Sequence, residues 1–235
     1  MKGDPIWLKA HWGNLVMASW LVEPSRLALH LPPACQPDLW DGKIAVSLVG
    51  VEFTQVAVKG TSWPWHDRFP EVNLRTYVRG PQGPGVMFLG ELVPKYWVAW
   101  MARRNFGEPY QKAKVWMEKR VRLGEPEIAY HWETTERANR ISFKAGADLL
   151  DPPTGGLDEF LLHRHRGYNA GLGGTTYAVS HEAWKIREVR RFAVDCATGS
   201  PFGSAYGSIF RTEPDSVLFT DGSTVSVGFP TRIGS

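Results

Sequence analysis

The sequence predicts an α+β fold in which mostly antiparallel strands form a barrel or packed sheets, with two or three helices inserted. Three observations lead to this fold class. Runs of β-type residues recur along the chain, short turns separate them, and only a few segments have helical periodicity. With 235 residues, 43% of them hydrophobic, the chain can bury a large core without a metal or a disulfide. We expect residues 1–235 to form a single domain, since no linker, repeat or low-complexity tract divides them.

The first third of the chain predicts two long strands, over residues 14–22 and 44–58. Between them, residues 23–33 favour a short helix. Pro24 suits the first helical position, and the Pro-Pro pair at the end of the segment stops the helix. A Trp-Asp-Gly-Lys turn then leads into the second strand.

The central third predicts a β-hairpin followed by a helix. Residues 69–80 alternate like a strand, and the Gly- and Pro-rich stretch at 80–85 turns the chain into a second strand. Residues 94–107 form the clearest helical pattern, because Trp97, Trp100 and Met101 recur at helical spacing and a glycine follows the last turn.

The last part of the chain predicts more strands and a short helix. Residues 113–146 divide into three strands, and residues 155–167 favour a helix that ends at Gly167. From about residue 175 the chain again has β-type character. The Asp-Gly-Ser sequence at 221–223 predicts a hairpin turn between two of these strands.

The strand over residues 69–80 carries the most informative pattern. Glu71, Asn73, Arg75 and Tyr77 fall on one parity and aliphatic residues on the other, so one face of the strand is polar. Such a face is exposed in many antiparallel sheets. It can also line a pocket, and the chain's 11 tryptophans suggest aromatic pocket walls.

Further candidate site residues lie after the central helix and near the C-terminal strands. Each has a structural alternative: a helix-end arginine can satisfy backbone carbonyls, a turn lysine can be solvated, and a histidine can be a hydrogen-bonded core residue. These candidates are Arg103, Tyr110, Lys112, His181 and Trp184.

Several function classes are disfavoured by composition. The net charge of +3, from 27 basic and 24 acidic residues, is too balanced to indicate nucleic-acid binding. No apolar run approaches the roughly 20 residues of a membrane span, and the first residues lack a signal-peptide pattern. We therefore expect a soluble cytoplasmic protein with no membrane partner, in which Cys35 and Cys196 are free thiols.

No cofactor or metal is indicated by the motifs. The sequence has no phosphate-binding glycine loop in a strand–helix context, no HExxH and no GxSxG. His163 and His165 would share a face only on a strand, whereas their segment has helical character. A zinc site needs three or four ligands, so we predict no metal site there.

Several stretches resemble, in the same order along the chain, the sequences of the YqjF-like family of uncharacterised bacterial proteins. They include HWGNLVMASWLVEPSRLALHLPP, DLWDGKIAVSLVGVEF, FPEVNLRTYVRG, VAWMARRNFGEPYQKA and LDEFLLHR. That family is identified as part of the acetoacetate-decarboxylase-like superfamily. The resemblance implies a cone-shaped, antiparallel β-barrel with peripheral helices and an internal cavity.

The resemblance also implies a candidate active site. In acetoacetate decarboxylases a buried lysine forms a Schiff base with a β-keto acid, and a glutamate faces it. Glu71 matches that glutamate, and Lys112 falls where the lysine motif is expected, but the adjacent Lys-Lys pair is absent. Lys114 or Arg103 would have to supply the neighbouring cation that lowers a lysine's pKa.

Three functions follow as hypotheses. The first is a barrel that binds a small carboxylate or carbonyl compound through Glu71, Asn73, Arg75, Tyr77 and the further candidates. The second is a Schiff-base lyase that uses Lys112 as nucleophile with Glu71. The third is a non-catalytic structural or interaction module whose polar strand forms a buried hydrogen-bond network. Exposed strand edges and the superfamily resemblance favour homo-oligomers.

Overall fold

A computed structural model describes residues 5–27, 30–134, 137–196 and 201–234. Strands dominate it, and helices are short. The helices are α1 (Tyr96–Phe106), α2 (Leu157–Leu162) and α3 (Ser204–Ile209). The strands are β1 (Ile6–Val22), β2 (Gln36–Pro37), β3 (Ile44–Val58), β4 (Thr61–Ser62), β5 (Phe69–Gly80), β6 (Gly83–Val93), β7 (Tyr110–Lys112), β8 (Lys114–Arg122), β9 (Glu125–Glu133), β10 (Ala138–Ala145), β11 (Arg166–Asn169), β12 (Thr175–His181), β13 (Val189–Asp195), β14 (Ser216–Gly228) and β15 (Thr231–Arg232).

Within the described residues, 7 strands close into a barrel. Their order is β5-β3-β1-β14-β12-β11-β6, and β6 pairs back onto β5. Neighbours in this ring are antiparallel except β11 and β6, which are parallel. Strand β7 extends the sheet as a further parallel neighbour of β6. The predicted acetoacetate-decarboxylase-like barrel is confirmed, and the parallel pairs are an addition to the antiparallel prediction.

A second, antiparallel sheet in the order β13-β10-β9-β8 covers the outside of the barrel. Outward-facing residues such as Val16, Val46 and Leu74 pack against Tyr130 and Ile141 of that sheet. The opposite parity of the same barrel strands faces the interior. Strands β1, β3 and β5 are therefore buried on both faces over much of their length, which explains the nearly continuous apolar sequence of β3 and of the second half of β1.

Most of the predicted elements are present. Strands β3 and β5 have the predicted limits, and the 80–85 turn joins β5 to β6 as an antiparallel hairpin. Helix α1 ends as predicted, with Gly107 in the left-handed region at φ 74. Its buried face consists of Ala99, Ala102 and Phe106, however, and the tryptophans at helical spacing are exposed.

Three predicted features before residue 170 differ in the structure. Strand β1 begins at Ile6 and not at residue 14. Residues 23–33 contain a 3-10 turn over Pro24–Arg26 rather than a helix, since Leu27 is already extended; residues 28–29 lie outside the described part. Helix α2 ends at Leu162. Gly167 lies in β11, where a Cβ would fall 2.2 Å from the Tyr177 ring, so this glycine permits close packing rather than ending a helix.

The predicted hairpin turn at 221–223 is wrong. Strand β14 runs without interruption from Ser216 to Gly228 and pairs with β1 on both sides of this sequence. Gly222 stands opposite Gly13 with φ +81, and a Cβ on it would lie 1.8 Å from the Trp12 carbonyl oxygen. The Asp-Gly sequence therefore permits a close approach of two strands and does not reverse the chain.

No helix in the described residues is long and apolar enough to span a bilayer.

Replacing Gly222 with alanine is expected to destabilise the protein by roughly 3 kcal/mol or more, because left-handed strain and a backbone clash combine there. Gly60 provides the control: it has φ +78, but a Cβ added to it would have no atom within 4 Å. Gly60→Ala should cost only the strain of about 1 kcal/mol. Chemical denaturation measures both, and equal losses would contradict the close-approach explanation.

Candidate functional site

The barrel interior holds a cavity of about 920 Å³, within the size range of small-molecule sites. Its wall is mainly apolar and aromatic. Exposed Trp63, Trp97 and Trp100 also line it, so the cavity reaches solvent on the side of α1. The buried aromatic residues of the wall are Trp7, Phe53, Phe69, Phe106, Tyr110, Tyr177 and Trp184.

The polar face of β5 points into this cavity. Glu71, Asn73 and Arg75 line it and are only 2%, 3% and 8% exposed. Asn73 Nδ2 donates to Glu71 Oε1 at 2.8 Å, and the Tyr110 hydroxyl donates to Glu71 Oε2 at 2.7 Å. The alternation in residues 69–80 therefore marks an interior wall and not a solvated face.

Two further glutamates join Glu71, and sequence reasoning missed both. Glu91 of β6 stands directly opposite Asn73 of β5 and, on its other side, opposite Tyr110 of β7. Glu108, just after α1, accepts a short hydrogen bond from the Tyr177 hydroxyl. The result is a buried cluster of three carboxyl groups and two phenols on the cavity wall; we call it the glutamate cluster (Glu71, Glu91, Glu108, Tyr110 and Tyr177).

A β-bulge places Glu91 in this cluster. Arg75 pairs with Phe88 and Leu74 pairs with Gly90, so Leu89 is an extra residue on β6. Before the bulge, Val86 and Phe88 line the cavity; after it, Glu91 does. Because side chains alternate along a strand, one extra residue exchanges the two faces. An unbroken hairpin register would turn Glu91 outward.

Burial dominates the electrostatics of the cluster. Burial raises the pKa of Glu71 to about 7. Hydrogen bonds from Tyr110 and Asn73 and the charge of Arg75 lower this pKa, but their effect is smaller. Burial likewise raises the pKa of Glu108 to about 8 and, together with the charges of the other two glutamates, raises the pKa of Glu91 well above its ordinary value. The glutamate cluster therefore holds protons near neutral pH, in a range suited to proton transfer.

Arg75 lies four residues from Glu71 on the cavity face of β5, and none of the described carboxylates forms an ion pair with it. Its Nη2 contacts the Met17 sulfur at 3.1 Å, and its Nε is buried without a hydrogen-bond partner. Arg164 also lines the cavity, but it is committed to Asp38 at 2.6 Å. Arg75 is thus a buried guanidinium with unused donor capacity facing the cavity.

His181 and Trp184 also line the cavity, and neither has a hydrogen bond to a residue of the glutamate cluster. Their rings stack at 4.1 Å, and Trp184 Nε1 donates to Ser223 Oγ at 2.8 Å. Burial lowers the pKa of His181, and the charges of His165 and Arg75 act in the same direction. His181 therefore favours its neutral form and serves as part of the aromatic wall.

Three predicted site residues do not line the cavity. Tyr77 is buried beneath it, bonded to the Ser47 hydroxyl at 2.8 Å. The Arg103 side chain is exposed on α1. Its backbone carbonyl accepts a hydrogen bond from the Gly107 N–H, which caps the helix. Lys112 is exposed at the end of β7, so its amine does not face Glu71 as the Schiff-base hypothesis requires.

No lysine of residues 5–27, 30–134, 137–196 or 201–234 is buried. Lys59 is the one described lysine along the cavity wall, and it is exposed. Among the same residues, no group of three or more potential ligands is placed to hold a metal ion. Buried carboxyl, phenol, amide and guanidinium groups line the cavity.

The barrel with its interior cavity defines the class of protein. The structure is similar to the acetoacetate decarboxylase-like enzyme from Sphingomonas wittichii RW1, with a TM-score of 0.68 and 12% identity over 97% of this chain and 94% of that chain. It is also similar to the enduracididine biosynthesis enzyme MppR complexed with pyruvate, with a TM-score of 0.65 and 15% identity over 97% of this chain and 89% of that one. The chain thus has the acetoacetate-decarboxylase-like fold.

Within that class, the chain belongs to the DUF2071 family, described as an uncharacterized conserved protein, which matches residues 9–224. It is 27% identical over 195 residues to the uncharacterized protein YqjF of Bacillus subtilis (strain 168), covering 78% of this chain and 77% of that protein. The resemblance to YqjF-like proteins is confirmed.

The raised pKa values make stability depend on pH with a defined sign. A carboxyl whose folded pKa exceeds its unfolded value of 4.5 binds its proton more tightly when folded. The stability that this tighter proton binding contributes is fully present below pH 4.5. For Glu108 it is lost as the pH rises through about 8. We expect the free energy of unfolding to fall by about 1 kcal/mol per pH unit between pH 6 and pH 8 for such a group.

Glu108→Gln should flatten this fall, because it removes one ionisable group and relieves Glu91 of a like-charge neighbour. Denaturant titrations at pH 6, 7, 8 and 9 measure it. Glu118→Gln, at a side chain 59% exposed on β8, is the control and should keep the wild-type slope. Parallel curves for wild type and Glu108→Gln would contradict the assignment.

Proposed function

We propose that the barrel cavity binds a small molecule that has a carboxylate or carbonyl head and an apolar body. Arg75 carries this proposal. A guanidinium only 8% exposed, with an unpartnered Nε and no carboxylate partner among the described residues, is suited to an anionic oxygen. The aromatic wall provides the surface for the apolar body.

Like charge does not oppose an anionic head here. Burial raises the pKa of all three glutamates of the cluster, so they hold protons near neutral pH. A protonated carboxyl donates a hydrogen bond to a carbonyl or carboxylate oxygen. The complex of MppR with pyruvate, a 2-oxo acid, supports this choice of head group by analogy of fold.

The purely structural alternative has less support. A buried polar network that serves only the core has its donors and acceptors satisfied. Here Asn73 Oδ1, Arg75 Nε and Glu91 Oε2 are buried without a partner, and all three residues line the same cavity. Unsatisfied buried atoms on three residues that line one cavity favour a ligand there. A Schiff base through Lys112 is not proposed, because that side chain is exposed.

Arg75→Met tests the proposal. It retains an unbranched apolar side chain and removes the cation, so affinity for 3-phenylpropanoate should fall by at least ten-fold, whereas the uncharged 3-phenylpropanamide should be little affected. Quenching of the cavity tryptophans or calorimetry measures both. Arg103→Met, on the exposed face of α1, is the control and should bind like wild type. Equal loss for acid and amide would contradict the role of Arg75.

A second candidate function is proton transfer at the carbon next to a carbonyl, which we infer from Glu71. Its pKa of about 7 leaves a useful fraction of carboxylate at neutral pH. The carboxylate would take a proton from that carbon, the C–H electron pair would form the enolate double bond, and the carbonyl electron pair would move onto oxygen beside Arg75. The proton returns from Glu71 in the reverse step, so no cofactor is needed.

Deuterium exchange at C3 of phenylpyruvate in heavy water measures this step by NMR, after subtraction of the uncatalysed rate. Glu71→Gln should lose roughly 100-fold or more of the protein-dependent rate, since an amide cannot accept the proton. The exposed Glu182→Gln should keep the wild-type rate. Exchange no faster than in buffer would exclude this second function and leave ligand binding unaffected.

A further inference from the structure

Asn73 carries information about the ligand beyond an anionic head. Its Nδ2 donates to Glu71 Oε1 at 2.8 Å, which fixes the orientation of the amide. Its Oδ1 is then the free atom, and an amide oxygen can only accept a hydrogen bond. This oxygen is buried, and no described group donates to it, although the residue is only 3% exposed.

Glu91 repeats the pattern on the neighbouring strand. It stands directly opposite Asn73 in the β5–β6 pairing, so the Cβ atoms of the two lie about 5 Å apart. Glu91 is 1% exposed, and its Oε2 also has no partner. Two residues from adjacent strands that line the same cavity thus each carry a buried, unpartnered oxygen atom.

The two phenol hydroxyls of the glutamate cluster already donate to other groups. The Tyr110 hydroxyl donates to Glu71 at 2.7 Å, and the Tyr177 hydroxyl donates to Glu108. Arg75 lies two residues from Asn73 on the same face of β5, at a spacing of about 7 Å along the strand. A ligand whose carboxylate binds Arg75 would therefore place the atom next to its carboxylate near Asn73 and Glu91.

We propose that the ligand's head is a carboxylate with an adjacent hydrogen-bond donor, a 2-hydroxy acid or a 2-amino acid, whose donor is received by Asn73 Oδ1 and Glu91. This rests on the proposed binding function. The further inference also specifies the orientation of the ligand head. Its carboxylate accepts from Arg75, and its donor group points to Asn73 and Glu91.

Four probes with one apolar body separate the two proposals. These are 3-phenylpropanoate, phenylpyruvate, 3-phenyllactate and phenylalanine, the last two as both enantiomers, compared by calorimetry with the wild-type protein. One enantiomer of 3-phenyllactate or phenylalanine should bind at least ten-fold tighter than the two probes that lack a donor. A preference for phenylalanine would identify the ligand as a 2-amino acid, and a preference for 3-phenyllactate would identify it as a 2-hydroxy acid.

The series is repeated with propanoate, pyruvate, lactate and alanine, so that a poor fit of the phenyl group does not decide the result. If acids of either series bind but the donor gives no advantage, the further inference is overturned and the binding proposal stands. If no acid of either series binds, both are overturned. These outcomes need no variant and so do not depend on a variant's folding.

Variants then locate the donor contact. Asn73→Ala should remove the ten-fold advantage of the donor-bearing probe and leave 3-phenylpropanoate binding within about two-fold. Glu91→Met should reduce the advantage of the donor-bearing probe, because it removes the carboxyl oxygens that can accept from the donor and keeps an unbranched side chain. Gln111→Ala, at an exposed amide of β7 that does not line the cavity, is the control and should keep the advantage. An advantage that survives Asn73→Ala would overturn the assignment.

Discussion

The pairing of β5 with β6, with one extra residue at Leu89, is the constraint on which the rest of the site depends. This pairing closes the barrel and encloses the cavity. The bulge within it brings Glu91 to the interior face, opposite Asn73, and within the charge field of the other two glutamates. A single-residue change of register would close the same barrel around a different set of polar groups.

The glutamate cluster is unfavourable for folding and useful for chemistry. Removing three carboxyl groups from water favours their protonated forms, which is why burial is the largest cause of every raised pKa in the cluster. The protein tolerates this because hydrogen bonds from Tyr110, Tyr177 and Asn73 stabilise the ionised forms in part. The apolar packing between the two sheets supports the arrangement from outside.

The comparison with acetoacetate-decarboxylase-like structures separates fold from chemistry. The barrel is shared over nearly the whole chain, yet identity to those structures is 12–15% for the two compared. Lys112, which the family resemblance proposed as a nucleophile, is exposed, and the described cavity wall has no buried lysine. A common barrel can thus hold carboxyl, amide and guanidinium groups where a Schiff-base enzyme needs an amine.

The sequence by itself determined the local features. Alternation in residues 69–80 predicted β5 and its polar face, and Gly107 marked the end of α1, because both depend on neighbours along the chain. The tertiary structure alone decided which face is inside, that Lys112 is excluded, and that Asp221-Gly222 continues a strand. It also decided the entry of Glu91, Glu108 and Tyr177 into the site. These depend on register, a bulge and barrel closure, which are contacts between segments far apart in sequence.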